Sequence, residues 1–201
     1  MTVLAAFQGN GFSIIGADSR ATDFGGRSMV LGNPKVAWDE YENYIYAITG
    51  ATRGGNILFQ GFVPPTPPIW QGIDELDKFM TRDFIPLMRA EFVDAGYEGI
   101  SLTGKSAEHD TNFLVSVQGV IYPILEDYSW DRDIRGIYYN GSGGDVALGV
   151  MLGMGIEKCK NDLPRAKTII KKAIEYACEW NAFCAPPVKI EVQKCPTNIE
   201  V

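Results

Sequence analysis

The hydrophobic period of this 201-residue chain switches between strand-like and helix-like four times along its length, and that order limits the available folds more than any single motif. From Thr2 to Gly50, short runs of β-formers are broken by turn residues: Thr2 to Gln8, then Asn10-Gly11, then Phe12 to Gly16. Asn-Gly between two apolar runs signals a hairpin, because its tight turn needs residues that accept a positive φ. Further strands are expected over Ser28 to Leu31, Lys35 to Trp38 and Tyr44 to Ile48, with Gly25-Gly26 and Asp39 to Asn43 as turns.

After Gly50 the period lengthens. Ile57, Leu58 and Phe62 mark a helix that must stop before Pro64-Pro65-Thr66-Pro67-Pro68, where proline rings fix φ and remove donors. Ile73, Leu76, Phe79, Met80, Phe84, Leu87 and Met88 recur at three- and four-residue steps, which predicts an amphipathic helix kinked near Pro86. Phe113, Val115 and Val117, followed by Val120-Ile121-Tyr122, predict a hairpin turning at Gln118-Gly119, with Ile137 to Tyr139 as another strand. Val146, Ala147, Val150, Met151 and Met154 share the face of one helix, and Ile169, Ile170, Ala173, Ile174, Ala177 and Trp180 share the face of the next. Val188 to Val192 is the last strand. The succession fits an α+β chain of one domain over residues 1–201, a four-layer αββα sandwich of two antiparallel sheets covered by helices on both outer faces. Order alone leaves several α+β folds open.

Composition excludes other classes. Hydrophobic residues at 46% and charged residues at 21% are those of a globular chain, not a disordered one. A net charge of −7 repels phosphate backbones and anionic membranes, so neither nucleic acid nor a membrane is an expected partner. No run of about 18 apolar residues suggests a span. The N-terminus meets polar Gln8 too early for a signal peptide, which makes the cytoplasm the simplest location. Cys159, Cys178, Cys184 and Cys195 lack a C-x-x-C spacing, which argues against a zinc site and for reduced thiols. His109 is the only histidine, so a Ser-His-Asp or Cys-His mechanism would depend on it alone.

Gly99 to Ser106 matches the phosphate-loop pattern G-x-x-x-x-G-K-[ST], with Lys105 as its lysine. Such a loop needs a strand before it and a helix after it. Here the end of a helix precedes it and a polar stretch follows, so nucleotide binding is not expected.

Four other pieces belong together. Thr2 is followed by a hairpin, then by Gly16-Ala17-Asp18-Ser19-Arg20-Ala21-Thr22, Gly32-Asn33-Pro34-Lys35-Val36 and Ile48-Thr49-Gly50-Ala51. With Gly141-Ser142-Gly143-Gly144 and the Ala147-Leu148-Gly149 that follows, this run resembles the proteasome β-subunit family of N-terminal nucleophile (Ntn) hydrolases in order and approximate spacing. The Gly-Ser-Gly-Gly form and the Gly-Asn before the lysine are most similar to its bacterial two-component (HslV-type) branch. The resemblance is dense over residues 2–55, recurs at 137–155 and is faint elsewhere.

The chemistry gives each residue a reason. A threonine hydroxyl is a weak nucleophile and needs a base; an N-terminal amine, with an ordinary pKa of about 7.7–8.0, supplies one. Thr2 holds both groups only once Met1 has left. By resemblance, Lys35 places a positive charge beside the nucleophile, Asp18 holds that lysine, Gly50 offers its backbone N–H to the oxyanion, and Ser142 helps relay the proton of the amine. Ala21, Thr22, Ile48 and Thr52 fall where the family binds substrate, and Ala21, Ile48 and Thr52 imply a small to medium, mostly apolar pocket. No cofactor and no metal are called for.

Departures lie around that set. Asn181 and Cys184 stand where the family often carries Asp and Ser, and Asn181 can hold a hydrogen bond but is not a carboxylate. Ala51-Thr52-Arg53-Gly54-Gly55 places a cation, Arg53, near the pocket mouth. The resemblance implies a threonine endopeptidase acting on polypeptides inside a homo-oligomeric ring of six or seven subunits, stacked and fed by a separate ATPase. Two alternatives stay open: a structural subunit that keeps Met1, and an amidohydrolase acting on a small amide through the same Thr2 machinery.

Overall fold

The computed structural model describes residues 2–22, 25–100 and 107–196, so Met1 and most of the phosphate-loop-like stretch, Lys105 included, lie outside the described residues. The chain opens with β1 (Leu4–Gly9) and β2 (Phe12–Ala17), followed by β3 (Arg20–Thr22), β4 (Ser28–Val30), β5 (Val36–Trp38) and β6 (Tyr44–Gly50). Helix α1 (Thr52–Gln60) follows, then α2 (Ile73–Phe79) and α3 (Ile85–Asp94), the last two joined by a π turn over Met80–Phe84. Next come β7 (Gly99–Ile100), β8 (Ala107–Glu108), β9 (Thr111–Val117), β10 (Val120–Ile124) and β11 (Ile137–Asn140). Helix α4 (Gly144–Gly153), a 3₁₀ turn over Ile156–Cys159, α5 (Leu163–Trp180) and β12 (Lys189–Lys194) complete the described elements.

Two antiparallel four-stranded sheets, ordered β11-β1-β2-β12 and β10-β9-β6-β5, stand face to face. Every residue of β1 and β2 is buried, as strands covered on both sides require. Side chains alternate across the pleat, so Leu4, Ala6 and Ile15 meet Ile45, Ala47 and Leu114 between the sheets. Val3, Ala5, Phe7 and Ile14 turn outward onto Met151, Ile170 and Ile174 of α4 and α5. On the other side, Tyr44, Tyr46, Phe113 and Val115 pack under Leu58, Phe84 and Phe92 of the α1 to α3 layer. The result is the four-layer αββα sandwich expected from the order of periods.

Polar ties cross the apolar seam. Ser13 of β2 and Ser116 of β9 share a 2.6 Å hydroxyl contact, and the Ser116 hydroxyl donates to Gln193 Oε1 of β12 at 2.7 Å. Both hairpins turn where expected; Gln118 and Gly119 take φ of 53° and 80°. The helical irregularity does not fall at Pro86. It lies a turn upstream, where the Ile85 N–H reaches back to the Met80 carbonyl, and α3 starts with Pro86 in its first turn, where a missing donor costs nothing. Among the described residues, no helix is long and apolar enough to cross a membrane.

Candidate active site

Register brings the N-terminal segment to one end of the sandwich. Leu4 pairs with Ala17 on β2 and with Asn140 on β11, so the residues just before β1 lie beside Asp18 and beside the Gly141–Gly144 turn. The Val3 N–H donates to Asp18 Oδ1 at 3.0 Å, and the Asp18 N–H returns to the Val3 carbonyl. On the other flank, the Gly143 N–H donates to the Thr2 carbonyl at 3.1 Å and the Ser142 hydroxyl to the same oxygen at 3.4 Å. Ser142 is thus placed against the Thr2 carbonyl. Gly141 takes φ of +82°, and a Cβ on it would lie 2.2 Å from that carbonyl oxygen, so a side chain is excluded twice over.

Lys35 arrives from the other sheet, just ahead of β5, fixed by the Ile48 N–H donating to its carbonyl. Its Nζ meets Asp18 Oδ1 at 2.7 Å, with the two side chains 4% and 0% exposed. Asp18 Oδ2 accepts from the Arg20 and Ala185 N–H groups, so both oxygens have two donors each. Burial lowers the pKa of Lys35, while the Asp18 charge acts to raise it. Asn181 caps the end of α5 and donates its Nδ2 to the Ser142 carbonyl, and its Oδ1 accepts from the Phe183 N–H. Cys184 is buried beside the Gly143 backbone, and burial pushes its thiol pKa up. Its neighbour Cys178 is pushed up to about 12 for the same reason.

A cleft of about 60 Å³ opens at this end. Thr2, Lys35 and Gly50 form one side, and Ala21, Thr22, Ile48 and Thr52 line the rest together with Leu31 and Thr49. Gly50 has φ of +100°, and a Cβ there would lie 2.4 Å from the Asp110 carbonyl oxygen. Strand N–H groups alternate between edges. The Ile48 N–H faces Lys35 and the Ala51 N–H faces Asp110, so the Gly50 N–H points to the Lys35 edge, past the start of β5.

No protein-family profile and no curated protein matches this chain. Solved structures do. BPH of Thiobacillus denitrificans superposes with a TM-score of 0.71 at 18% identity, covering 97% of this chain and 100% of that one. HslV of Trypanosoma brucei gives 0.63 at 16%, covering 96% and 99%, and a Gly-1 mutant of Anbu from Hyphomicrobium sp. strain MC1 gives 0.66 at 12%, covering 96% and 82%. The fold is the proteasome-like Ntn-hydrolase fold.

Within this proteasome-like fold the residues singled out in the sequence converge. Thr2, Asp18, Lys35, Gly50 and Ser142 gather at the end of the sandwich that bears the cleft, while Asn181 and Cys184 back the Ser142 turn from behind. Arg53 follows the lining residue Thr52 without lining the cleft itself, and its guanidinium donates to the Ala95 carbonyl of the α3 end. The lining is also less apolar than Ala21 and Ile48 suggest, because Thr22 and Thr49 join Thr52. Leu31 and the Ala185 N–H have no motif in the sequence; both depend on distant pairings, Leu31 N–H with the Ser19 carbonyl and Ser19 N–H with the Ala185 carbonyl. His109 lies apart, caged by Phe92, Tyr97, Phe113 and Tyr128. The arrangement can hold a hydroxyl beside a buried cation and a backbone donor, which suits attack on a carbonyl.

Proposed function

We propose that this chain is a threonine endopeptidase whose nucleophile is Thr2, freed at its amine by removal of Met1. The observation that supports this most is the buried Asp18–Lys35 pair, which lies against the cleft that also contains Thr2 and Gly50. In this reading the free amine of Thr2 takes the proton from Oγ as Oγ bonds to the scissile carbonyl carbon. Lys35 favours the developing alkoxide through its charge, and the Gly50 N–H stabilises the oxyanion, a kind of contact commonly worth about 3–4 kcal/mol. The intermediate collapses to a Thr2 ester as the leaving amine takes the proton from the ammonium. Water, deprotonated by the same amine, then cleaves the ester and restores Thr2. Asn181 and Cys184 position the Ser142 turn against Thr2.

The likeness to HslV of Trypanosoma brucei supports assembly as a ring. In this reading the ring has six or seven subunits, is stacked, and takes polypeptides delivered by a separate ATPase. The fold match to a BPH structure solved in complex with epoxomicin supports the choice of probe. Intact mass before and after a panel of peptide epoxyketones, which form a ring with a hydroxyl and a free amine on one residue, tests the reading. Loss of one methionine plus one adduct, absent in Thr2→Ala, is expected. A mass that keeps Met1 and takes no adduct from any probe would leave a proteasome-like structural subunit instead.

A further inference from the structure

Resting on that reading, the question is which substrate side chain enters the cleft beside Thr2. We propose that it selects a short hydrogen-bonding side chain, of the size of serine, threonine or asparagine, on the acyl side of the bond attacked.

Size is the first constraint. The cleft holds about 60 Å³, whereas a cavity that takes up benzene is about 150 Å³. Ile48 fixes its depth. A Cβ on Gly55 would lie 2.2 Å from Ile48 Cδ1, so the tip of Ile48 already rests on the backbone of α1 and has no room to retreat.

Polarity is the second. Thr22 Oγ1 is buried and has no hydrogen-bond partner among the described residues, at a position that lines the cleft. Rotation about its Cα–Cβ bond would bring it into the cleft, where a hydroxyl or amide from substrate would satisfy it and an apolar side chain would not, and sites built around such a group discriminate strongly against analogues lacking the partner. Thr49 and Thr52 add two more hydroxyl-bearing residues to the lining. Charge is the third. Among the described residues no Asp or Glu lines the cleft, and Asp18 already has four donors, so a lysine or arginine side chain finds no counter-charge among them.

Rates of Thr2 labelling by epoxyketones that differ only in the side chain next to the warhead test this. Threonine and valine are nearly isosteric, so their comparison isolates the hydroxyl. Threonine is expected to react at least ~10-fold faster than valine, and leucine, phenylalanine and lysine more slowly still. Thr22→Val, which removes only an unpartnered hydroxyl, should bring the two rates together, and Ile48→Ala should admit leucine. Labelling in which leucine, phenylalanine or lysine matches threonine, or a threonine preference that survives Thr22→Val, overturns this inference while the nucleophile stands. Failure of every probe to react at Thr2 removes the peptidase reading, and this inference with it.

Discussion

A carboxylate taken out of water needs donors on both oxygens, and Asp18 finds them in Val3, Lys35, Arg20 and Ala185. Three of these are backbone N–H groups from different parts of the chain, so one side chain locks the start of β1, the start of β3 and the segment before β12 to the lysine. Asp18→Asn replaces one acceptor oxygen with a donor and leaves the Lys35 ammonium buried without its counter-charge. Breaking a buried pair from one side costs about 3–5 kcal/mol. The variant should therefore lose that much stability in urea unfolding and lose labelling of Thr2. Asp18 and Lys35 are legible in the sequence through the family resemblance that their flanking segments carry. The Ala185 N–H is not, since 167 residues separate it from Asp18 and any residue but proline could provide it.

Among the elements, α3 and β9 both pack on His109, through Phe92 and Phe113. The histidine Nδ1 accepts from the Thr111 N–H at 3.3 Å, which leaves the proton on Nε2, a buried atom without a hydrogen-bond partner among the described residues. The imidazole sits among aromatic rings; ring centre to ring centre, Tyr128 is 4.7 Å away and Phe92 5.1 Å, both edge-on, and Phe113 5.4 Å. Burial lowers its pKa from 6.5 to about 4, against the opposing pull of Asp110, Glu98 and Asp127. A depressed histidine pKa means that the unfolded chain takes up the proton first as the pH falls. Stability is thus unaffected by His109 above about pH 6.5 and declines from there toward pH 4, by about 3 kcal/mol in all. His109→Gln keeps an acceptor for Thr111 and does not titrate, so its urea midpoint should be flatter than that of the parent between pH 7 and 4. The polar Glu108-His109-Asp110 string looks like surface in the sequence. Only the packing of α3 against β9 turns its middle residue into core.

Across the whole molecule, two sheets that meet through Leu, Ile and Ala could slide, because apolar contact has no preferred register. Gln193 supplies part of the missing direction, alongside Gln8, which accepts from the Ile121 N–H. From β12 in one sheet Gln193 accepts from the Ser116 hydroxyl and the Gly119 N–H of the other, and donates to the Asn43 carbonyl before β6. Gln193→Leu would leave the Gly119 N–H and Asn43 carbonyl without these partners, at about 1–3 kcal/mol for each group stranded. A fall of several degrees in melting temperature is the expected result, against little change for the exposed Glu179→Gln. The order of periods narrowed the chain to a few α+β folds, the four-layer sandwich among them, since a strand buried on both faces and a helix with one apolar stripe each have few ways to hide that surface. The resemblance to the proteasome β-subunit family, carried by the segments 2–55 and 137–155, singled out Thr2, Asp18, Lys35, Gly50 and Ser142. What only the tertiary structure decided is which groups those residues meet: the four donors on Asp18, the direction of the Gly50 N–H, the polarity of the cleft and the core position of His109. Each of these depends on contacts between segments far apart in the chain, and no local pattern of residue types records them.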